Sequence, residues 1–512
     1  MFQAEPQQQV FAFLSDPATH GGTPVRRIDT HAAAVFLAGE HVYKVKRAVK
    51  FPFLDYSTLA RRKAACEAEL EVNRPFAPRL YRGVVPITRD AGGKLALAGA
   101  GEPVEWAVDM VRFDENATLD RLADQRKIDA ALADALARAV AEAHEKAPEV
   151  DAGPWLDAFA RFIAQNDAAF RAMPQSFSAP DVAALTQASA AALERLRPLL
   201  LGRGRRGLVR RGHGDLHLGN IALIGATPVP FDAIEFDPLI ASGDVLYDLA
   251  FLLMDLIERR LTGAANLVLN RYLAQTRRAE DLDALAALPL FLSLRAAIRA
   301  KVTAARMDNV AGAERENIAN SAVTYFNLAG EAIAPATPRL LAVGGLSGTG
   351  KSVLARALAP DLLPLPGAVL LRSDVERKAL FGVTETAPLP AEAYGAEVTC
   401  KVYASLGDKA RRVIAAGHSA IVDAVFANPK ERAAVAAVAS AFGVRFSGLF
   451  LVADLATRSE RISGRRNDAS DADASVARQQ EAYDLGAMEW NIVDASASPA
   501  ATLARARAAL AG

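Results

Sequence analysis

The stretch that decides the fold of the C-terminal third reads Leu340-Leu341-Ala342-Val343-Gly344-Gly345-Leu346-Ser347-Gly348-Thr349-Gly350-Lys351-Ser352. Its first four residues are a short apolar run with the texture of a buried strand, and Val353–Leu358 reads as a helix. Strand, then G-x-x-x-x-G-K-[ST], then helix is the context in which such a loop holds phosphate. The glycines let successive backbone N–H groups turn inward, and the helix N-terminus adds a favourable dipole. Lys351 is then expected to reach the β- and γ-phosphates of a nucleotide and Ser352 to ligate Mg²⁺. Gly345, Ser347, Gly348, Thr349 and Gly350 complete the cradle.

Beyond Arg339 strands and helices alternate, which predicts an α/β three-layer domain with a parallel sheet over 340–512. The strand Ala420-Ile421-Val422-Asp423 ends in a carboxylate, placed either to hold a metal-bound water or to cap the next turn. Leu370-Leu371-Arg372-Ser373-Asp374-Val375-Glu376-Arg377-Lys378 resembles the Ser-Asp-x-x-Arg-Lys element of small P-loop kinases and of zeta-toxin-like kinases. That resemblance implies Asp374 as the base near an acceptor hydroxyl, with the basic residues near phosphate or substrate. By position alone Asp374 also reads as the N-cap of a helix over Val375–Leu380. Arg458, Arg461, Arg465 and Arg466 lead into Asn467-Asp468-Ala469-Ser470-Asp471-Ala472-Asp473. Arginines on a mobile segment suit a lid that neutralises a phosphoryl group in transfer, with Arg461 and Arg465 as catalytic candidates. The plainer reading of the same run is a solvated charged face.

Working back towards the N-terminus, His213-Gly214-Asp215-Leu216-His217-Leu218-Gly219-Asn220 is the second chemical signal. The spacing H-x-D-x-x-x-x-N is that of a kinase catalytic loop, where Asp215 orients and deprotonates the acceptor hydroxyl and Asn220 holds Mg²⁺. Gly after the first His, together with His217, resembles aminoglycoside phosphotransferases and choline-kinase-like enzymes. A second metal carboxylate is expected on a strand over Val229–Phe236, where both Asp232 and Glu235 occur. Matching the family's Ile-Asp-Phe to Ile234-Glu235-Phe236 favours Glu235, whereas distance from Asn220 favours Asp232. Strand alternation puts the two on opposite faces, so one of them serves. Asp244 and Asp248 resemble aspartates that brace this loop. The ATP-phosphate lysine is expected in Val42-Tyr43-Lys44-Val45-Lys46, on the second strand of a hairpin. Lys44, paired with Glu69 of the helix Leu59–Asn73, is the first choice and Lys46 its substitute.

The resemblance spans the chain, which looks like the bacterial two-domain proteins called bifunctional aminoglycoside phosphotransferase/ATP-binding proteins. It implies an α+β bilobal, protein-kinase-like domain over 1–331, with an N-lobe to about 110 and a helical C-lobe over about 113–331. A linker at 332–339, rich in Pro and Ala, precedes the P-loop domain.

Composition sets the remaining bounds. Hydrophobic residues make up 51% and charged residues 23% of 512, an ordinary soluble balance. Lys plus Arg and Asp plus Glu number 59 each, and a net charge of zero counts against a dedicated nucleic-acid binder. The two cysteines, Cys66 and Cys400, are too few for a disulfide framework and fit a reducing cytoplasm. Residues Met1–Pro17 lack a signal-peptide pattern, and Leu246–Ile257, the most apolar stretch, is broken by Asp248 and Asp255, so no membrane segment is expected. The expected activity is transfer of the γ-phosphoryl group of ATP, with Mg²⁺, to hydroxyl groups of small-molecule acceptors by two kinase modules. The alternatives are one active module regulated by the other, an ATP-dependent switch, and a nucleic-acid-end kinase. Neither the acceptors nor the oligomeric state is legible in the sequence.

Overall fold

The computed structural model describes residues 4–51, 54–464 and 469–511, and the chain divides into two compact units. The first comprises the chain up to Ala169 together with Arg197–Arg259; the second comprises Phe170–Leu196 and Arg260–Gly512.

The first unit is built on a six-stranded antiparallel sheet. Its order is Val25–Asp29, Ala33–Ala38, His41–Lys46, Glu102–Val111, Tyr81–Arg89, Leu95–Leu97. Alternation sorts the side chains to two faces. Phe36, Val45 and Ala107 join Val10, Phe11 and Leu14 of the first helix on one face. Leu37, Val42 and Val108 join Cys66 of the helix Leu59–Asn73 on the other. Thr58 caps that helix, its hydroxyl accepting the N–H of Arg61. Lys44 and Lys46 share the parity of Val42, so both lie on the side of the Leu59–Asn73 helix.

The His213–Asn220 segment sits between small sheets. Val209–Arg211 pairs antiparallel with Ser242–Asp244, and Ile221–Ile224 forms a hairpin with Thr227–Pro230. The strand expected over Val229–Phe236 ends at Pro230. At Asp232 the backbone turns to φ 62°, a left-handed conformation that extended pairing does not allow. The expectation that Asp232 and Glu235 occupy opposite strand faces therefore fails. The apolar stretch near Leu246 is the buried helix Val245–Glu258. Among the described residues no helix is long and apolar enough to cross a membrane.

The second unit contains a five-stranded, all-parallel sheet in the order Val369–Arg372, Ala420–Asp423, Arg339–Gly345, Arg445–Val452, Asn491–Asp494. Leu341 and Val343 point to a layer holding Leu354 and Leu358 of the helix Lys351–Leu358 and Ala506 of Pro499–Ala511. Helices Ala396–Ala415 and Pro429–Ala441 contact the central strand as well. The glycine-rich loop thus leaves the C-terminal end of the middle strand, where open parallel sheets place ligands. The same unit holds Thr262–Thr276, Leu288–Ala304 and Gly312–Ile333, and Phe170, Phe177 and Phe326 cluster with ring centroids 4.8–5.0 Å apart.

Candidate functional sites

In the first unit the loop His213–Asn220 is fixed from beneath. Asp248, on the helix Val245–Glu258, accepts the backbone N–H groups of His213 and Gly214, each at 2.9 Å. Asp255, two turns on, accepts that of Leu218 at 2.9 Å. Asp244 caps the same helix and forms a buried ion pair with Arg203. Gly214 has φ 79°, and a Cβ there would lie 2.8 Å from the Ala241 Cα, so the backbone leaves no room for the arginine of protein kinases. Burial lowers the His213 pKa, and the neutral ring donates from Nε2 to the Phe231 carbonyl at 2.9 Å.

That bond links the loop to the segment carrying the second carboxylate. The Ile234 N–H returns to the His213 carbonyl at 3.0 Å, and the Phe231 N–H to the Asn220 carbonyl at 2.9 Å. The Asp232 N–H donates to Tyr81 Oη at 3.0 Å, and the Ala233 N–H to Asn73 Oδ1 at 2.8 Å. With four anchors around it, the left-handed conformation of Asp232 is over-determined.

The predicted residues meet here. Asn220 Nδ2 donates to both the carbonyl and the carboxylate of Asp215 at 3.0 Å, which leaves its amide oxygen as a candidate metal ligand. Gly219 N–H donates to His217 Nδ1, so the ring proton sits on Nε2, 3.4 Å from Asp215 Oδ2. Lys44 Nζ donates to Glu69 Oε1 at 2.8 Å and also to Asp232. Lys46 is not a mere substitute: its Nζ lies 2.5 Å from Glu69 Oε2 and also pairs with Glu235. Burial opposes the charge of Lys44, but Asp232, Glu69 and Glu235 outweigh it and hold the ammonium well above its ordinary pKa. Partial desolvation by the surrounding protein opposes the Asp232 charge, and Lys44 overcomes it and keeps the carboxyl low although that side chain also reaches solvent. Tyr56, whose Oη donates to Glu235 at 2.7 Å, and Tyr81 carry no signal in the sequence, since a lone tyrosine has no diagnostic spacing.

In the second unit a cavity of about 850 Å³ opens over the glycine-rich loop and is lined by Ser347–Ser352, Asp374, Arg377, Tyr394 and Arg461. Gly348 (φ 87°) has no room for a side chain, because a Cβ would fall 2.6 Å from the Arg458 carbonyl oxygen. Gly350 has φ 95° and is the N-cap of the helix Lys351–Leu358. Lys351 Nζ donates to the Leu346 carbonyl at 3.2 Å, and Thr349 Oγ1 to the same oxygen at 2.8 Å. The Ser352 hydroxyl donates to Asp423, and Arg372 reaches both. Asp374 is the second residue of the helix Ser373–Leu380; Arg372, not Asp374, occupies the N-cap. Burial, and then the neighbouring Asp423 charge, push the Asp374 carboxyl up, against the pull of Lys351 and Arg372. A raised carboxyl is a better proton acceptor once ionised.

The arginines of the expected lid divide. Arg458 is 1% exposed and serves as an anchor: Nε donates to the Ser347 carbonyl at 2.9 Å and Nη1 pairs with Glu481. Gln480 grips the same serine, accepting its N–H at 2.7 Å and donating to Oγ at 3.0 Å, a role that no motif announces. Arg461 lines the cavity and donates to the Ala497 carbonyl at 2.9 Å. Arg465, with Arg466, Asn467 and Asp468, lies outside the described residues.

Both sites present hard oxygen donors. Among the described residues no three His, Cys, Asp or Glu side chains converge on a metal cage. Mg²⁺ in phosphoryl transfer is held by one or two carboxylates plus phosphate oxygens, so Asn220 with Asp232, and Ser352 with Asp423, fit that mode.

Residues 41–288 match the family described as phosphotransferase enzyme family, and residues 340–484 that described as AAA domain. Uncharacterized protein Rv2004c of Mycobacterium tuberculosis is 30% identical over 458 residues, 88% of each chain, as is uncharacterized protein Mb2027c of Mycobacterium bovis. Among solved structures, aminoglycoside 2'-phosphotransferase-IIIa is 13% identical, with a TM-score of 0.36, covering 63% of this chain and 99% of that one. A gluconokinase from Sinorhizobium meliloti is 21% identical, with a TM-score of 0.25, covering 34% and 92%. The chain belongs to the same family as these mycobacterial proteins, with a phosphotransferase-family module followed by a P-loop kinase-like module.

Proposed function

We propose that each module transfers the γ-phosphoryl group of ATP to a hydroxyl group of a small-molecule acceptor. The observation that carries this reading is the meeting of Lys44, Glu69 and Asp232 beside a catalytic loop whose Asp215 is oriented by Asn220. Bound with Mg²⁺, ATP supplies the phosphoryl group, and the metal offsets its charge. Lys44 pairs with the nucleotide phosphates, and Asn220 and Asp232 hold the metal. Asp215 takes the proton of the acceptor hydroxyl as that oxygen bonds to the γ-phosphorus. The β–γ bridge bond breaks, and ADP leaves with the bridging oxygen. In the second module the backbone N–H groups of Gly348 and of residues 350–352, with the Lys351 ammonium, hold the phosphates, Ser352 and Asp423 hold the metal, and Asp374 takes the proton. Arg461, on the cavity wall, offsets charge that develops in transfer.

The test is a metabolite-pool screen with γ-labelled ATP on the full chain, on Asp215→Asn and on Asp374→Asn. Labelled products that disappear separately with each substitution support two transfer sites. Labelling that is the same in all three proteins overturns the reading.

A further inference from the structure

Five charged side chains of the first unit form one unbroken line of ion pairs, Asp232–Lys44–Glu69–Lys46–Glu235. Tyr56 closes its inner end through the 2.7 Å bond to Glu235. The signs alternate, and Glu69 is shared, one oxygen to each lysine. The two ends differ in exposure. The Asp232 side chain is 45% exposed, whereas Glu69, Lys46 and Glu235 are 0%, 3% and 8% exposed. An ion on the outer end meets solvent and ligand; an ion on the inner end meets only its partners.

This asymmetry assigns different work to the two carboxylates that sequence reasoning left in competition. Lys46 follows Lys44 by two residues on the same strand face. A second loose ammonium there would compete for the phosphates and draw Glu69 away from Lys44. Its pairing with Glu235 removes that competition. Glu69 is then held on one oxygen by a fixed cation and offers the other to Lys44.

We propose that Glu235 is a positioning residue and not a metal ligand: it holds Lys46 against Glu69, so that Lys44 is the lysine presented to the nucleotide phosphates. The inference rests on the proposed role of Lys44 and Asp232 in binding phosphate and metal, and its test separates the two claims.

The test uses the full-length chain carrying Lys351→Ala, so that the first site dominates. It measures ATP affinity without metal by calorimetry, Mn²⁺ binding by electron paramagnetic resonance, and kcat for release of labelled phosphate from γ-labelled ATP, with water as the acceptor. Glu235→Gln releases the Lys46 charge. Metal-free ATP affinity is expected to tighten about three- to tenfold while kcat falls about tenfold or more, because the added cation pulls the phosphates out of line. Mn²⁺ binding stays unchanged, whereas Asp232→Asn abolishes it. Adding Lys46→Met to Glu235→Gln returns metal-free ATP affinity to the parent value, an outcome that general loosening of the site does not produce. If Glu235→Gln does not fold, Tyr56→Phe is expected to give the same signs at smaller size. Loss of Mn²⁺ binding in Glu235→Gln makes Glu235 a metal ligand and overturns the proposal, as do unchanged ATP affinity and kcat in that variant. Unchanged ATP affinity in Lys44→Met overturns the underlying assignment of the phosphate site, whatever Glu235 does.

Discussion

Asn270 Oδ1 accepts the backbone N–H of Leu370 at 2.6 Å, so a helix side chain takes the place of the missing neighbour on the outer edge of the parallel sheet. Asn266 and the Asn270 amide nitrogen donate to the Ala368 carbonyl, at 3.0 and 3.1 Å. An open edge strand is a template for unwanted pairing, and these two asparagines close it. The strand so held runs directly into Arg372, Ser373 and Asp374.

Replacing Asn270 with Ala in the full chain leaves the Leu370 N–H without this acceptor. The expected loss is about 1–3 kcal/mol of stability in the second unit. Hydrogen exchange should quicken at Val369–Leu371 before it does in the central strand. Unchanged exchange and an unchanged unfolding midpoint would mean that water substitutes fully for the amide.

Asp215→Asn is expected to reduce transfer by the first module by about two to four orders of magnitude, with ATP affinity within about twofold of the parent. The carboxylate is set to act on the acceptor, and the asparagine keeps the shape that Asn220 grips. Isothermal titration beside a single-turnover assay decides this. Parallel loss of affinity and rate would move Asp215 into the nucleotide site.

Lys351→Ala is expected to remove nucleotide binding at the second module while leaving the first intact. A full-length chain with two titratable sites should become a chain with one. Asp374→Asn should keep both sites and lose transfer at the second by about two to four orders of magnitude. Two intact sites in Lys351→Ala would falsify the assignment of the glycine-rich loop.

His418 supplies a prediction about pH. Burial lowers its pKa from 6.5 to about 4, and its Nε2–H donates to the Gly367 carbonyl at 2.9 Å. The folded ring stays neutral where the unfolded one, with a pKa of about 6.5, takes up a proton. Its contribution is therefore fully present above about pH 6.5 and is lost as pH falls towards 4, amounting to about 3 kcal/mol. Urea unfolding between these limits should show a flatter dependence on pH in His418→Gln than in the parent. Equal slopes would place the ring in contact with water in the folded state.

The sequence was legible where chemistry demands fixed spacing along the chain. G-x-x-x-x-G-K-[ST] and H-x-D-x-x-x-x-N each bring their groups together within one loop, so reading along the chain identified both. The helix Leu59–Asn73 and the strand Ala420–Asp423 were legible for a similar reason, since periodicity and local breakers fix their ends. Asp232, Glu235 and Arg458 were legible as candidates, but not their conformation or their partners. A φ of 62° at Asp232 depends on anchors from His213 and Asn220 and from Tyr81 and Asn73, of which Tyr81 lies 151 residues away along the chain.

What the sequence alone determined, then, is the two kinds of fold and the two loops that carry them, because backbone geometry and motif spacing are local. Which lysine pairs with Asp232, which carboxylate stands at the exposed end, and that Arg458 braces the glycine-rich loop were decided only by the tertiary structure. The role of a charged side chain is set by its depth and its partners. Those partners lie between 23 and 189 residues away for Lys44 and Lys46, and the Ser347 that Arg458 holds lies 111 residues from it, separations over which one sequence carries no local signal.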